Sequence, residues 1–230
     1  MTVLVDYDNI ADSHTRKGIQ FLTDSIISLI DPSYIANPRI VIRFYGGWYE
    51  KKRSTSRSQN LEADIRQIYP TTTVLSDRKT KVVVQCELAY GIMADPKFHL
   101  VYTFREKGIP SGLKAHHPIK EGCHDVDCPL IHFQKFIQEK KCPKCGHIKP
   151  EDVLYRGEQK LVDSMIITDM LHESLKNKFV CIVSSDDDFW PGIRASIING
   201  CKIVHINTQN SPNMSLYTSG IESHYIRKQL

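Results

Sequence analysis

The sequence has no hydrophobic run of the length that a membrane helix requires. Its longest apolar stretches, such as residues 25–30, fall far short of ~18 residues, and the apolar start at residues 3–5 is followed at once by Asp6. We therefore expect no transmembrane span, no signal peptide and a cytoplasmic location. In a reducing compartment, the seven cysteines are expected to bind metal or stay free rather than form disulfides.

Internal repeats, low-complexity tracts and a strong charge imbalance are also lacking. Of the 230 residues, 41% are hydrophobic and 24% are charged, and the net charge is +4. These values exclude disordered, collagen-like and coiled-coil proteins and are ordinary for a globular protein. At about 150 residues per domain, the length predicts one compact unit with a smaller insertion.

The small positive excess is concentrated in one segment. Residues 50–81 contain eight Lys and Arg and four Asp and Glu, so this segment by itself matches the net charge of the chain. A basic loop can attract phosphate groups, although a solvated surface has the same composition. We assign Lys51, Lys52 and Arg53 as candidate substrate-binding residues.

Short β-branched runs alternate with amphipathic runs along most of the chain. Strands are predicted at residues 3–5, 39–45, 72–75, 81–85, 100–104, 179–183 and 202–206, and helices at residues 17–30, 58–69, 158–175 and 190–199. Residues 87–94 fit either a helix or a strand. This alternation is typical of βαβ units, so we predict an α/β fold with an open, mostly parallel sheet flanked by helices.

The composition changes in the middle of the chain. From about residue 106, Gly, Pro, Lys, His and Cys become frequent, and the α/β pattern returns after about residue 150. We predict one α/β core, formed by residues 1–105 and 151–230, that is interrupted by a small module at residues 106–150.

Carboxylates follow two of the predicted strands. Asp6 comes at the end of the first strand, and three successive aspartates at residues 186–188 follow the strand at residues 179–183. Because the carboxyl ends of parallel strands meet at one edge of a sheet, we expect these carboxylates to lie together. Capping of the next helix explains one aspartate, but not three in a row. Crowded carboxylates usually bind a hard divalent cation, so Mg²⁺ or Mn²⁺ is the expected partner.

A further acidic candidate lies near the start of a predicted helix. Asp163 follows Lys160 by three residues, which places the two side chains on the same helix face. The alternative for Asp163 is an ordinary solvated acid in the first turn of the helix.

Three short motifs lie at predicted strand ends or helix starts. They are Val3-Leu-Val-Asp6-x-x-Asn9, then Lys160-x-Val-Asp163 followed by Asp169, then Val183-Ser-Ser-Asp186-x-Asp188-Phe189 with a later Gly200-x-x-Ile-Val. In this order they resemble the NYN domain of the PIN-like nucleases, including its LabA-like bacterial branch. The resemblance covers residues 1–104 and 155–208. The chain departs from the family pattern at Ser185 and Asp187, in a segment where small residues are usual.

The resemblance implies a PIN-like fold and a metal-dependent endoribonuclease that hydrolyses RNA with water activated by Mg²⁺ or Mn²⁺. The catalytic metal ligands carried over by position are Asp6, Asp163, Asp186 and Asp188. Asn9 is carried over as a catalytic residue that supports or contacts the phosphate. Lys160 matches the family's lysine and is assigned to substrate binding.

Two other functions are compatible with the same residues. Asp6-Tyr-Asp8 also resembles the nucleophile and the acid/base aspartate of haloacid-dehalogenase-type phosphatases, but that family would have Thr or Val shortly after Asp8, where this chain has Asn9-Ile10. The non-catalytic alternative is a zinc-bearing module that binds RNA or protein and has an inactive acidic pocket.

Four cysteines of the insertion form two short-spaced pairs. Cys123 and Cys128 are separated by four residues, Cys142 and Cys145 by two, and thirteen residues lie between the pairs. This spacing is typical of tetrahedral Zn²⁺ coordination by thiolates. We predict a structural Zn²⁺ bound by these four cysteines, with a neighbouring His as the alternative for one ligand. The module is also basic, which is compatible with binding RNA or a protein partner.

Overall fold

The chain folds as two compact units. The first comprises Met1–Phe104 and Gln159–Leu230, and the second comprises Arg105–Glu158. The computed structural model describes residues 1–50, 52–101, 103–108, 114, 127–159, 161–209 and 217–230. The sequence pattern assigned residues 151–158 to the α/β core, whereas the structure groups them with the second unit.

Eleven β strands and seven α helices are defined in the described residues. The strands are β1 (Thr2–Asp6), β2 (Arg39–Tyr45), β3 (Tyr49–Glu50), β4 (Arg53–Ser54), β5 (Thr71–Val74), β6 (Lys81–Leu88), β7 (Phe104–Gly108), β8 (Tyr155–Gln159), β9 (Phe179–Val183), β10 (Lys202–Asn207) and β11 (Tyr225–Gln229). The helices are α1 (Asp12–Thr15), α2 (Ile19–Ser28), α3 (Ser56–Ile68), α4 (Pro129–Glu139), α5 (Pro150–Val153), α6 (Val162–Ser174) and α7 (Trp190–Ile198). Short 3₁₀ helices at Tyr7–Asn9 and Asp187–Phe189 follow β1 and β9. None of the helices in the described ranges is both long and apolar enough to cross a bilayer.

The first unit is built on a seven-stranded sheet. Its strand order is β11-β10-β9-β1-β2-β6-β5, and all neighbouring strands are parallel except the antiparallel β5 and β6. β1 is central, and Val5 is in register with Phe44 of β2 and with Val183 of β9. The predicted α/β class with a mostly parallel sheet flanked by helices is therefore confirmed.

Side-chain alternation along β1 divides the core between the two faces of the sheet. Val5 packs in a cluster with Leu22 of α2, whereas Leu4 packs in a second cluster with Ile166 of α6. Successive side chains of a strand point to opposite faces, so Asp6 lies on the same face as Leu4. The last residue of β1 thus points its carboxylate towards the side of the sheet that α6 covers.

Several element boundaries differ from those predicted. β6 continues to Leu88, so only the start of residues 87–94 is strand, and the remainder forms turns and bends. Of the strand predicted at residues 100–104, the described residues 100, 101 and 103 are not strand, and β7 begins only at Phe104.

The predicted helix at residues 158–175 is also shorter. α6 begins at Val162, because β8 extends to Gln159 and Leu161 adopts a left-handed conformation with φ 70°. This start places Asp163 in the first turn of α6.

The second unit contains β7, β8, α4 and α5. β7 and β8 are neighbours in one sheet. α4 begins with Pro129 directly after Cys128 and is followed by Lys140 in a left-handed conformation, which ends the helix. The chain then enters the Cys142–Cys145 turn.

Candidate metal centre

The acidic site is built on the carboxyl ends of β1 and β9. Asp6 ends β1, and Ser184 follows β9 at the same level because Val5 and Val183 are in register. The Ser184 hydroxyl donates a hydrogen bond to Asp6 Oδ2 at 3.0 Å. The hydroxyl oxygen also accepts from the backbone N–H of Asp186 at 3.1 Å. Ser184 therefore links the two acidic segments that the sequence analysis assigned to one sheet edge.

Asp6 is a desolvated carboxylate in a field of like charges. It is 5% exposed, and its burial is the main reason that its pKa is raised to about 7. The hydrogen bond from Ser184 lowers the pKa, whereas the charges of Asp163, Asp8 and Asp186 raise it. Asp6 therefore titrates close to neutral pH rather than in the usual acidic range of a carboxyl group.

Asp163 joins this group from the first turn of α6. Its carboxyl group reaches solvent but is partly desolvated by the surrounding protein, which is the main cause of its raised pKa. The charges of Asp186, Asp188 and Asp8 raise the pKa further. The structure thus brings residues from three distant segments within range of one another's charges.

Asp186 has a capping role as well as an electrostatic one. Its Oδ1 accepts a hydrogen bond at 3.0 Å from the backbone N–H of Asp188 and so caps the helix Asp187–Phe189. Asp187 and Asp188 are exposed. In the described part of the chain, no residue bonds to the Asp188 carboxylate, so capping accounts for one of the three aspartates.

Asp8 is already neutralised by partners of its own. Its Oδ2 accepts a hydrogen bond at 2.9 Å from the backbone N–H of Gly47, and its Oδ1 accepts from the guanidinium of Arg57. Arg57 lies in the first turn of α3, so this helix contributes a side chain next to the acidic site. Arg57 was predicted only as one of the basic residues of the segment at residues 50–81, because nothing in the local sequence shows that it pairs with Asp8.

The unpaired carboxylates fit a hard divalent cation by their chemistry. They are oxygen ligands of the type that Mg²⁺ and Mn²⁺ prefer, and a cation would relieve their repulsion. Within the described ranges, no salt bridge involves Asp6, Asp163, Asp186 or Asp188. Nor, in those ranges, does any group of three or more His, Cys, Asp or Glu side chains stand where it could hold a metal ion.

Asn9 organises the loops around the site. Its Oδ1 accepts hydrogen bonds from the Ser185 backbone N–H at 2.9 Å and from the Thr208 hydroxyl at 2.5 Å. The amide oxygen is thus occupied by the segments that follow β9 and β10. These contacts link Asn9 to the loops after β9 and β10, and its predicted role towards the phosphate stays a prediction.

Ser185 adds a second link between the same segments. Its hydroxyl oxygen accepts from the backbone N–H groups of Thr208 and Gln209, both at 2.8 Å. In the sequence, Ser185 stands out only as a departure from the family pattern. Its role depends on residues more than twenty positions away, which local sequence does not reveal.

A buried histidine supports Ser184 from the neighbouring strand. His205 of β10 is 1% exposed, and burial lowers its pKa to about 4. Its Nε2 lies 2.9 Å from the Ser184 carbonyl oxygen, and its Nδ1 lies 2.9 Å from the Tyr225 hydroxyl. Because a carbonyl oxygen only accepts, Nε2 carries the hydrogen and Nδ1 accepts from Tyr225. Neutral His205 thus helps to fix Ser184, whose hydroxyl donates a hydrogen bond to Asp6.

Asp169, the second acid of the α6 motif, joins α6 to the sheet. It is fully buried and accepts hydrogen bonds from the Tyr45 hydroxyl at 2.6 Å and from the Met93 backbone N–H at 2.7 Å. Arg43 Nε lies 3.4 Å from the same carboxylate. Burial raises the pKa of Asp169, and these three partners lower it. Asp169 therefore positions the helix that carries Asp163.

The basic candidates receive less from the structure. Lys51 and Lys160 lie outside the described residues. Lys52 and Arg53 are exposed near the turn between β3 and β4, and no described hydrogen bond or salt bridge connects them to the acidic site.

The second pair of cysteines forms a tight turn, and Cys123 lies outside the described residues. The Cys145 backbone N–H donates to Cys142 Sγ at 3.5 Å, and the Gly146 N–H donates to the Cys142 carbonyl oxygen at 2.9 Å. Gly146 has φ 68°, a conformation that favours glycine. Backbone N–H groups, first that of Cys145, lower the pKa of the Cys142 thiol. Such a turn presents thiolates to a metal ion.

Cys128 is a free thiol at the start of α4, and its side chain does not cap the helix. Cys86, Cys181 and Cys201 are buried free thiols of the first unit.

Comparison of the chain with protein-family models, with curated proteins and with solved structures finds no match. The NYN resemblance therefore remains a prediction from the three motifs.

Proposed function

We propose that this protein is a metal-dependent endoribonuclease with a PIN-like, NYN-type core. The observation that carries the proposal is the burial of Asp6 beside other carboxylates. Its burial and the negative charges of Asp163 and Asp186 raise its pKa to about 7. Burying a carboxylate among other carboxylates opposes folding, and such arrangements are concentrated at functional sites.

The metal ligands in this proposal are the four carboxylates assigned from the motifs. Asp6, Asp163, Asp186 and Asp188 would hold Mg²⁺ or Mn²⁺, which when bound lowers the pKa of a coordinated water and neutralises charge on a phosphodiester. Ser184 orients the Asp6 carboxylate. Asn9 fixes the loop of Asp186 relative to β1. Burial keeps bulk water from screening Asp6.

RNA is proposed as the substrate on two grounds. One is the order of the three motifs, and the other is the basic segment at residues 50–81, from which Arg57 reaches the acidic edge. The phosphatase alternative needs Asp8 to exchange a proton with the substrate, but both Asp8 oxygens are occupied by Gly47 and Arg57.

For the second unit, we propose a structural Zn²⁺ bound by Cys123, Cys128, Cys142 and Cys145. The support is the turn at Cys142 and Cys145, in which a backbone N–H already donates to a thiol sulfur as it would to a zinc-bound thiolate. Reduced thiolates are also compatible with the predicted cytoplasmic location.

The test of the nuclease is cleavage of a 5′-labelled single-stranded RNA with Mn²⁺, with Mg²⁺ and with EDTA. We expect cleavage that EDTA abolishes. Loss of a metal ligand removes several kcal/mol of transition-state stabilisation, so Asp6→Asn and Asp186→Asn are each expected to lower kcat/KM at least ~100-fold.

The matched control is the Asp24→Asn variant, which changes an exposed aspartate of α2. We expect this variant to cleave RNA at the rate of the parent. Circular dichroism establishes that each variant is folded. Folded Asp6→Asn and Asp186→Asn proteins that cleave as fast as the parent would exclude the proposed site.

A further inference from the structure

A pocket lies directly beside the proposed metal centre. It has a volume of about 340 Å³ and is lined by Tyr7, Asp8, Ile10, Thr15, Arg16 and Arg57, together with Asp12. We name it the Tyr7 pocket. Tyr7 and Asp8 immediately follow Asp6, and the charge of Asp8 contributes to the raised pKa of Asp6. A ligand in this pocket would therefore lie next to a group bound at the carboxylates.

One wall of the Tyr7 pocket is formed by the guanidinium of Arg57 and the aromatic rings beneath it. The guanidinium of Arg57 lies over the Tyr7 ring, 4.8 Å from its centroid, and 5.5 Å from the centroid of Trp48. Trp48 is fully buried, whereas the Arg57 side chain is 51% exposed. The aromatic rings thus hold one side of the guanidinium and leave the rest accessible.

The polar groups of the pocket balance in charge. Arg57 pairs with Asp8, and Arg16 pairs with Asp12 at 3.0 Å. Thr15 adds a hydroxyl group, which donates to the Asp12 carbonyl oxygen at 3.4 Å and whose oxygen can accept a hydrogen bond from a ligand. This set suits a neutral, planar ligand with donors and acceptors on its edge better than it suits a phosphate, since each guanidinium already has an anionic partner.

A nucleobase has these properties. Unpaired bases of single-stranded RNA stack on aromatic rings or on guanidinium planes and form hydrogen bonds through their edges. A volume of about 340 Å³ is near the lower end of ordinary ligand pockets, which suits one base with its ribose.

We propose that the Tyr7 pocket binds one base of single-stranded RNA, next to the phosphodiester that the carboxylates act on. This inference rests on the proposed nuclease function and adds a base-specific subsite to it. Arg57 is the residue that provides the stacking surface.

The test uses fluorescein-labelled ten-nucleotide RNAs, each with a single abasic residue at a different position. Their affinity is measured by fluorescence anisotropy in EDTA, so that no cleavage occurs, and kcat/KM is measured with Mn²⁺. Because one base stacked on a protein surface contributes about 5- to 150-fold to affinity, we expect removal of the base at one position, adjacent to the cleaved bond, to weaken binding by that factor.

The variant is Arg57→Lys, which keeps the charge that pairs with Asp8 but removes the planar group. We expect it to lose the effect of the abasic position. Arg66→Lys is the matched control on the same helix, where Arg66 pairs with Glu62 in solvent, and it should keep the effect. Thr15→Phe, which fills the pocket from α1, is the second variant and should act as Arg57→Lys does.

The outcomes separate the two proposals. Metal-dependent cleavage with no base dependence, or the same base dependence in Arg57→Lys and Thr15→Phe as in the parent, overturns the pocket and leaves the nuclease. Base-dependent binding that these variants abolish, without cleavage under any divalent metal, supports the pocket and overturns the nuclease. Absence of both binding and cleavage overturns both.

Discussion

Replacement of Asp6 by Asn tests whether burial and neighbouring negative charges raise the pKa of this carboxyl group in the folded protein. Asn has nearly the same shape and can still accept the hydrogen bond from Ser184, but it cannot ionise. We expect Asp6→Asn to abolish the proposed activity and at the same time to stabilise the metal-free protein at high pH.

The sign follows from proton binding in the two states. The pKa of Asp6 is about 7 in the folded protein, whereas in the unfolded chain it takes the ordinary aspartate value of 3.8. Between these values the folded state keeps a proton that the unfolded state has lost, so the stability of the parent falls as pH rises through this window. At about 1.36 kcal/mol per pKa unit, the full cost is about 4 kcal/mol, of which somewhat more than half, about 2 to 3 kcal/mol, accrues between pH 5 and pH 8.

The measurement is urea denaturation of parent and variant in EDTA, followed by the fluorescence of the buried Trp48 and Trp190 of the first unit. The free energy of unfolding of Asp6→Asn, relative to that of the parent, is expected to rise by about 2 to 3 kcal/mol from pH 5 to pH 8. Titrating groups that do not interact with Asp6 contribute equally to both proteins and cancel in this difference. Mn²⁺ is expected to stabilise the parent at pH 8 but not the variant.

A stability difference between Asp6→Asn and the parent that does not change between pH 5 and pH 8 would refute the reasoning. The Asp6 carboxylate would then be compensated in the folded protein, and the electrostatic argument for a cation at this edge would fail. Asp24→Asn is the matched control, because it makes the same substitution at an exposed position of α2.

Three further predictions concern the supports of the site and the second unit. Ser184→Ala removes the hydroxyl that orients Asp6 and is expected to weaken Mn²⁺ binding about 10- to 100-fold in calorimetric titration, so an unchanged affinity would contradict this role. Burial lowers the pKa of His205 to about 4, so the folded state disfavours protonation of this side chain. The free energy of unfolding of the parent, relative to that of His205→Gln, should therefore fall by about 3 kcal/mol as the pH falls from 6.5 to 4. Urea titrations that give a constant difference between the two proteins would contradict a lowered pKa of His205. Cys142→Ser should reduce zinc from one equivalent per chain to none by elemental analysis, whereas full zinc in the variant would exclude Cys142 as a ligand.

Elements with a strong local pattern were predictable from the sequence. β2 was predicted with its observed bounds, because its alternate residues are buried on opposite faces and Gly46-Gly47 follows it. α2 has its apolar residues at helical spacing. β11 was missed because it is an edge strand of half-exposed, mostly polar residues, which carry no alternating pattern.

The residues of the site divide in the same way. Sequence alone determined that Asp6 and Asp186 follow buried strands, and parallel strands have their carboxyl ends at one edge, so their proximity was predictable. The start of α6 was not, because Leu161 takes a left-handed conformation and β8 extends to Gln159.

Only the tertiary structure decided which partners these acids have. Asp8 pairs with Arg57 and accepts a hydrogen bond from Gly47, whereas Asp6 and Asp163 lie among like charges. The amide oxygen of Asn9 accepts hydrogen bonds from the loops that follow β9 and β10. Local sequence sets the periodicity that forms a strand or a helix, but hydrogen bonds and charge pairs between distant segments depend on how the sheet and its helices pack together.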